Sequence, residues 1–174
     1  KAFTDDTGIL QHANYTIPDR THGYCTDDNA RALLVAALGQ KYLPTNGLGL
    51  DFLTGHYLGF LLYAYNEKNE RFRNFMTYSR QWMEEIGSED VHGRALWGLG
   101  KAVAFLDNPG HLAMSTTLFN KALRAVENFH SPRAIAFCLV GIHGYLYKFA
   151  GDSEVRRIRK VLADRVFNQF KNNA

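Results

Sequence analysis

Two pairs of adjacent carboxylates, Asp27-Asp28 and Glu89-Asp90, each stand at the start of an apolar run. An arginine follows each pair one helical turn later, Arg31 after the first and Arg94 after the second. Acids flanked by arginines at helix ends have pKa values that can be tuned for acid–base work. Paired carboxylates on either side of a sugar bond are the basis of glycoside hydrolysis, and a separation of roughly 6.5–9.5 Å suits inversion. Asp27, Asp28, Glu89 and Asp90 are therefore the candidate catalytic residues. A structural reading is equally open: Thr26 or Asp27 can cap a helix, and Asp28 suits the positive end of its dipole. His22 and Tyr24 precede the first pair, and His92 follows the second. The histidines suit hydrogen bonds to hydroxyl groups better than zinc, because no third residue stands at ligand spacing. No metal or cofactor is expected.

The elements that must hold these groups read as helices. A helix from about Asp28 to Gln40 is apolar nearly all round and belongs in an interior. Pro44, Asn46, Gly47 and Gly49 mark a loop, after which Asp51 can cap a helix reaching Asn66. The polar stretch Glu67–Tyr78 mixes Arg71 and Arg73 with Phe72, Phe75 and Tyr78. It reads either as the lip of a cleft or as a loop whose aromatic rings tuck into the core. A helix over Ser79–Ile86 follows, ended by Gly87. Ser88 can cap Glu89–Leu106, Asn108–Gly110 is a turn, and His111–Asn128 is amphipathic. Ser131-Pro132 opens a further helix to about Ala150, with proline at its first position. The last helix puts Val155, Ile158, Leu162, Val166 and Phe170 on one face and a solvated basic set on the other. Residues 1–25 lack helix signals, and so long an irregular entry suggests a segment lining a site, with Gln11 and His12 as minor candidates. No strand is legible, so the chain reads as all-α.

An Arg-Ala-aliphatic step recurs at the start of three helices: Arg31-Ala32-Leu33, Arg94-Ala95-Leu96 and Arg133-Ala134-Ile135. Each of these apolar helices is followed by an outer partner, which gives consecutive antiparallel αα-hairpins. If the inner helices run parallel, their acids and arginines, Arg133 included, collect at one end.

Composition bounds the rest. The 174 residues, 46% of them hydrophobic, can bury one core, so residues 1–174 are read as a single helical-hairpin domain. A net charge of +3 implies no nucleic-acid partner. Cys25 and Cys138 lie far apart and read as free buried thiols. No signal peptide or membrane-spanning run is present, which gives the expectation of a cytoplasmic protein with no membrane partner. The chain begins at Lys1 without an initiator methionine, which reads as a trimmed chain or a piece of a larger protein.

The strings DDTGILQHANYTIPDRTHGYCTDDNARALL, FRNFMTYSRQW, GSEDVHGRALWGLG and SPRAIAF resemble a bacterial helical domain often met together with glycosyltransferases. In layout it is similar to the six-hairpin (α/α) toroids of glycoside hydrolases, lyases and sugar epimerases. Those proteins bind saccharides at the end bearing the inner-helix N-termini. The resemblance implies a toroid-like fold and a saccharide partner, and assigns no catalytic residue. With about three hairpins, the chain is a partial toroid, completed by the remainder of a larger chain or by a second copy. On this reading, Tyr24, Phe72, Tyr78 and Trp97 offer stacking faces to a sugar, and His22, Arg31, Arg73, His92, Arg94 and Arg133 offer hydrogen bonds. A Trp one turn into an apolar helix is otherwise a core residue. Two further readings stay open: a noncatalytic glycan-binding or scaffolding module partnering a glycosyltransferase, and an open helical-repeat interaction protein.

Overall fold

A computed structural model describes residues 2–44 and 48–171. Asn46 and Gly47 of the expected loop lie outside the described residues. Capping fixes several helix starts. Ser88 Oγ accepts from Val91 N–H at 3.2 Å, and Ser131 Oγ accepts from Ala134 N–H at the same distance, with Pro132 in the first turn. These serines open α3 (Glu89–Phe105) and α5 (Pro132–Lys148). Asn108 caps α4 (Pro109–Leu123), which therefore starts two residues before the amphipathic pattern does and continues as a 3-10 turn over Arg124–Asn128. The helix α1 (Thr26–Tyr42) starts from Cys25 with no side-chain cap, so neither Thr26 nor Asp27 caps it. Gly49, in the left-handed region at φ 62°, precedes α2 (Leu50–Ala64), so Asp51 lies in the first turn and is not the cap. The last helix is α6 (Ser153–Lys171).

The three apolar helices lie side by side, with α3 between α1 and α5. They run parallel. Arg94 of α3 meets Asp27 of α1 at one end, and Phe105 meets Tyr42 at the other, with ring centroids 5.8 Å apart. Their approach is close enough to exclude side chains. A Cβ on Gly98 would lie 2.5 Å from the Ala30 carbonyl oxygen, and one on Gly100 would lie 2.0 Å from that of Gly141. Each outer helix turns back on its inner partner. Gln40 reaches Thr54 across the first hairpin at 2.7 Å, His92 reaches Ala122 across the second at 2.8 Å, and Arg165 reaches back to Phe129 beside the third. Leu33, Leu61, Leu96, Leu99, Phe119, Ile135 and Leu162 are fully buried between the layers. Each large side chain so buried contributes about 1.5–3 kcal/mol relative to exposure.

The all-α expectation is incorrect. Residues 10–25 and 65–76 supply two small antiparallel sheets beside the helices, and the toroid-like reading gives way to an α+β fold. The strands β1 (Leu10–Asn14) and β2 (Ile17–Cys25) form a hairpin whose tip is Tyr15-Thr16, with Asn14 opposite Ile17. Leading from the hairpin into α1, β2 also pairs with β5 (Phe75–Met76), Tyr24 opposite Met76 and Cys25 opposite Phe75. Gly23 is obligatory at this crossing: its φ is 65°, and a Cβ would lie 2.2 Å from the Met76 carbonyl oxygen. The second sheet pairs β3 (Tyr65–Asn66) with β4 (Arg71–Phe72). The helix expected over Ser79–Ile86 is absent: the chain there is turns and a bridge from Trp82 to Met76. Met83 N–H donates to the Phe75 carbonyl oxygen at 3.0 Å, backbone pairing that a helix would spend internally, and Glu84 accepts from the Phe75 N–H at 2.8 Å.

Candidate functional site

Parallel packing brings the first turns of α1, α3 and α5 to one end of the row. Arg31 pairs with Asp28 and lies 3.3 Å from Asp27. Asp27 also faces Arg94 Nε of the next helix at 3.4 Å. The guanidinium of Arg94 lies over the Phe137 ring at 4.5 Å, and that ring stacks on Trp97 with centroids 5.6 Å apart and planes within 8°. Asp90 pairs with Arg133 and accepts from the Ser131 hydroxyl at 3.2 Å. One continuous chain of contacts thus runs from Asp28 through Arg31, Asp27 and Arg94 to Phe137 and Trp97.

The four acids differ in what remains free. Glu89 Oε2 accepts the backbone N–H groups of His130 and Ser131 at 2.9 and 2.7 Å, so it ties down the entry to α5. Asp90 is committed to Arg133 and Ser131. Asp28 stands apart, because burial pushes its carboxyl above the usual range, with Arg31 and, more weakly, His12 opposing. A groove of about 430 Å³ opens beside it along α1, lined among others by Gln11, Asp28, Arg31, Val35, Leu53 and Tyr57. The stripe of α3 that escapes burial, Arg94, Trp97 and Lys101, continues the polar and aromatic surface along the row.

Several residues expected to face a ligand are elsewhere. His92 is fully buried, with Nε2 2.8 Å from the Ala122 carbonyl oxygen and Nδ1 accepting from the Phe72 N–H at 3.4 Å. It joins the second hairpin to β4, and burial lowers its pKa to about 3. Phe72 is also fully buried, between Tyr65 and His92, so it offers no stacking face. Tyr24 is 1% exposed and donates to Asp5 at 2.6 Å; burial, helped by this hydrogen bond, raises its pKa to about 12. Arg73 is committed to Glu85 at 2.9 Å and to the face of Trp82. Tyr78 is exposed but stacks on Tyr24 and accepts from Arg20 at 3.1 Å. His22 lies on the exposed β hairpin, edge-on to His12 at 4.4 Å. No cluster of metal-ligating side chains occurs among the described residues.

Phe137 was not legible as a site residue, although its place one turn after Arg133 on α5 was the available signal. Cys25 and Cys138 are free and buried, as their spacing implied. No described helix is long and apolar enough to cross a membrane.

The sequence matches no family model and no curated protein. A solved structure described as a sugar epimerase from a ruminal bacterium does match, with a TM-score of 0.69 at 14% identity. The match covers 91% of this chain and 47% of the epimerase chain, so this chain spans about half the length of that protein. At this identity the likeness is one of fold alone.

Proposed function

We propose that this chain is a carbohydrate-active domain that binds a saccharide across the N-terminal ends of α1, α3 and α5. The observation that carries the reading is the Trp97–Phe137 stack, half-buried and flanked by the Asp27–Arg94 and Asp90–Arg133 pairs. A sugar ring offers an apolar face to an aromatic side chain and hydroxyl groups to planar charged ones. Here both kinds of partner sit on one surface. The sugar epimerase neighbour supports the same ligand class by fold analogy alone. Chemistry at this surface would use Asp28 as its acid, since it is the carboxyl kept protonated to higher pH by burial.

A noncatalytic glycan-binding module, serving a neighbouring glycosyltransferase, is the second reading. It is favoured by the engagement of Glu89 with backbone N–H groups and of Asp90 with Arg133, which leaves Asp28 without a free carboxylate partner. The test is titration of the protein and its Trp97→Ala variant with neutral and acidic oligosaccharides, followed by tryptophan fluorescence and calorimetry. Binding weakened by about tenfold or more in the variant supports the site; unchanged binding refutes it. Turnover by the parent that is lost in Asp28→Asn, with binding retained, selects the enzyme. Binding without turnover in the parent selects the module.

A further inference from the structure

A larger cavity, of about 730 Å³, shares no lining residue with the groove beside α1. It lies along the outer helix α2. Gly55 and Gly59 form part of its floor, and Phe52 and Tyr63, respectively 67% and 57% exposed, stand at either end. An ion pair borders one side, where Arg80 donates to both carboxylate oxygens of Asp6 at 2.7 Å, and a carboxylate–imidazole contact borders the other, where Asp51 faces His111 Nδ1 at 3.2 Å. From Asp51 to Tyr63 the helix rises about 18 Å.

The glycines separate packing from another requirement. Gly55 has a packing reason, because a Cβ there would lie 3.3 Å from His111 Nε2. Gly59 has none: nothing lies within 4 Å of the Cβ it lacks. A glycine inside a helix is less favourable than alanine, so an unforced one is a cost with no return in packing. What it leaves is an open floor between two exposed rings.

We propose that this cavity is a saccharide-binding site on the outer face, taking a neutral oligosaccharide laid along α2 against Phe52 and Tyr63. The choice of a polyol over a peptide follows from the floor. The α2 backbone spends its N–H and C=O groups within the helix, so a peptide main chain would find few partners there. Hydrogen bonds must come from side chains, those of Asp6, Thr7, Asp51, His56, Arg80 and His111, which suit pairs of hydroxyl groups. Two carboxylates, Asp6 and Asp51, against the one guanidinium of Arg80 leave no excess of permanent positive charge to hold an anionic ligand, and the remaining titratable lining groups are the imidazoles of His56 and His111. This site does not depend on the one at the inner-helix ends and stands if that one fails.

The test uses 15N-labelled protein with cellopentaose, maltopentaose, xylopentaose and mannopentaose, and a decaproline peptide as the rival ligand. The site predicts saturable shifts at Gly55, His56 and Gly59 with at least one sugar, retained in Trp97→Ala. Gly59→Leu fills the floor with a better helix former, so the variant should melt no lower than the parent and bind at least tenfold more weakly. Tyr63→Ala, an exposed change, should weaken binding independently. No α2 shift with any of the four sugars overturns the proposal, as does undiminished binding by both variants. Shifts with decaproline alone replace the saccharide with a peptide and also overturn it.

Discussion

Lowering the pH from 7.5 to 5.0 should cost this protein about 2 kcal/mol of stability through His92 alone. The ring is fully buried and neutral, with its Nε2–H directed at the Ala122 carbonyl and its Nδ1 accepting from Phe72. Protonating Nδ1 would remove that acceptor and place a charge among Phe72, Phe129 and the nearby Arg71. Burial therefore depresses the folded pKa to about 3 from the ordinary imidazole value of 6.5. The sign follows: between these values the unfolded chain holds a proton that the folded one does not, so stability is full above about 6.5 and falls as the pH drops towards about 3. Urea unfolding of the parent and of His92→Gln at both pH values measures the effect. The substitution will itself destabilise, so the informative quantity is the difference between the two proteins. That difference should shrink by about 2 kcal/mol on going to pH 5.0. A difference that stays constant would refute the assignment of a buried neutral imidazole. Because His92 ties β4 to the second hairpin, the same acidification should loosen the loop beside the start of α3 before the helices separate.

Two further outcomes follow from packing. Gly100→Ala drives a methyl group into the Gly141 backbone and should destabilise by about 2 kcal/mol net, the helix-propensity gain offsetting part of the overpacking cost; thermal melting checks it, and an unchanged melting temperature would refute the close contact. Burial pushes the Cys25 thiol up to about 11 and the Cys138 thiol higher still, so a disulfide dye at pH 8 should label neither in the native protein and both in urea.

The helices were legible where local chemistry decides them. Ser88 and Ser131 sit before apolar runs, and capping requires nothing beyond the adjacent turn. The strands were not legible, because β3, β4 and β5 are two residues each and exist through pairing with distant partners. Even β2, the longest, carries Pro18, Asp19 and Arg20 and shows no alternation that a pattern search would find. The candidate site was legible as a set of first-turn acids and arginines, since periodicity places them on helix ends. Which of them face solvent was not. Tyr24 and Phe72 sit on strands and His92 in the first turn of α3, each beside accessible groups in the sequence, and only tertiary packing sends them inward. The cavity along α2 left no trace in the sequence beyond an unexplained Gly59, because its walls come from three separate segments.

The contact of Gly100 with Gly141 acts as a ruler. Backbone rests on backbone there, so no rotamer can lengthen or shorten the gap between the two central rods. The spacing of Trp97 from Phe137 inherits that stiffness. On the proposed reading a guest would meet a platform already cut to size, and any adjustment to its shape would have to come from the hairpin and loops around the edge.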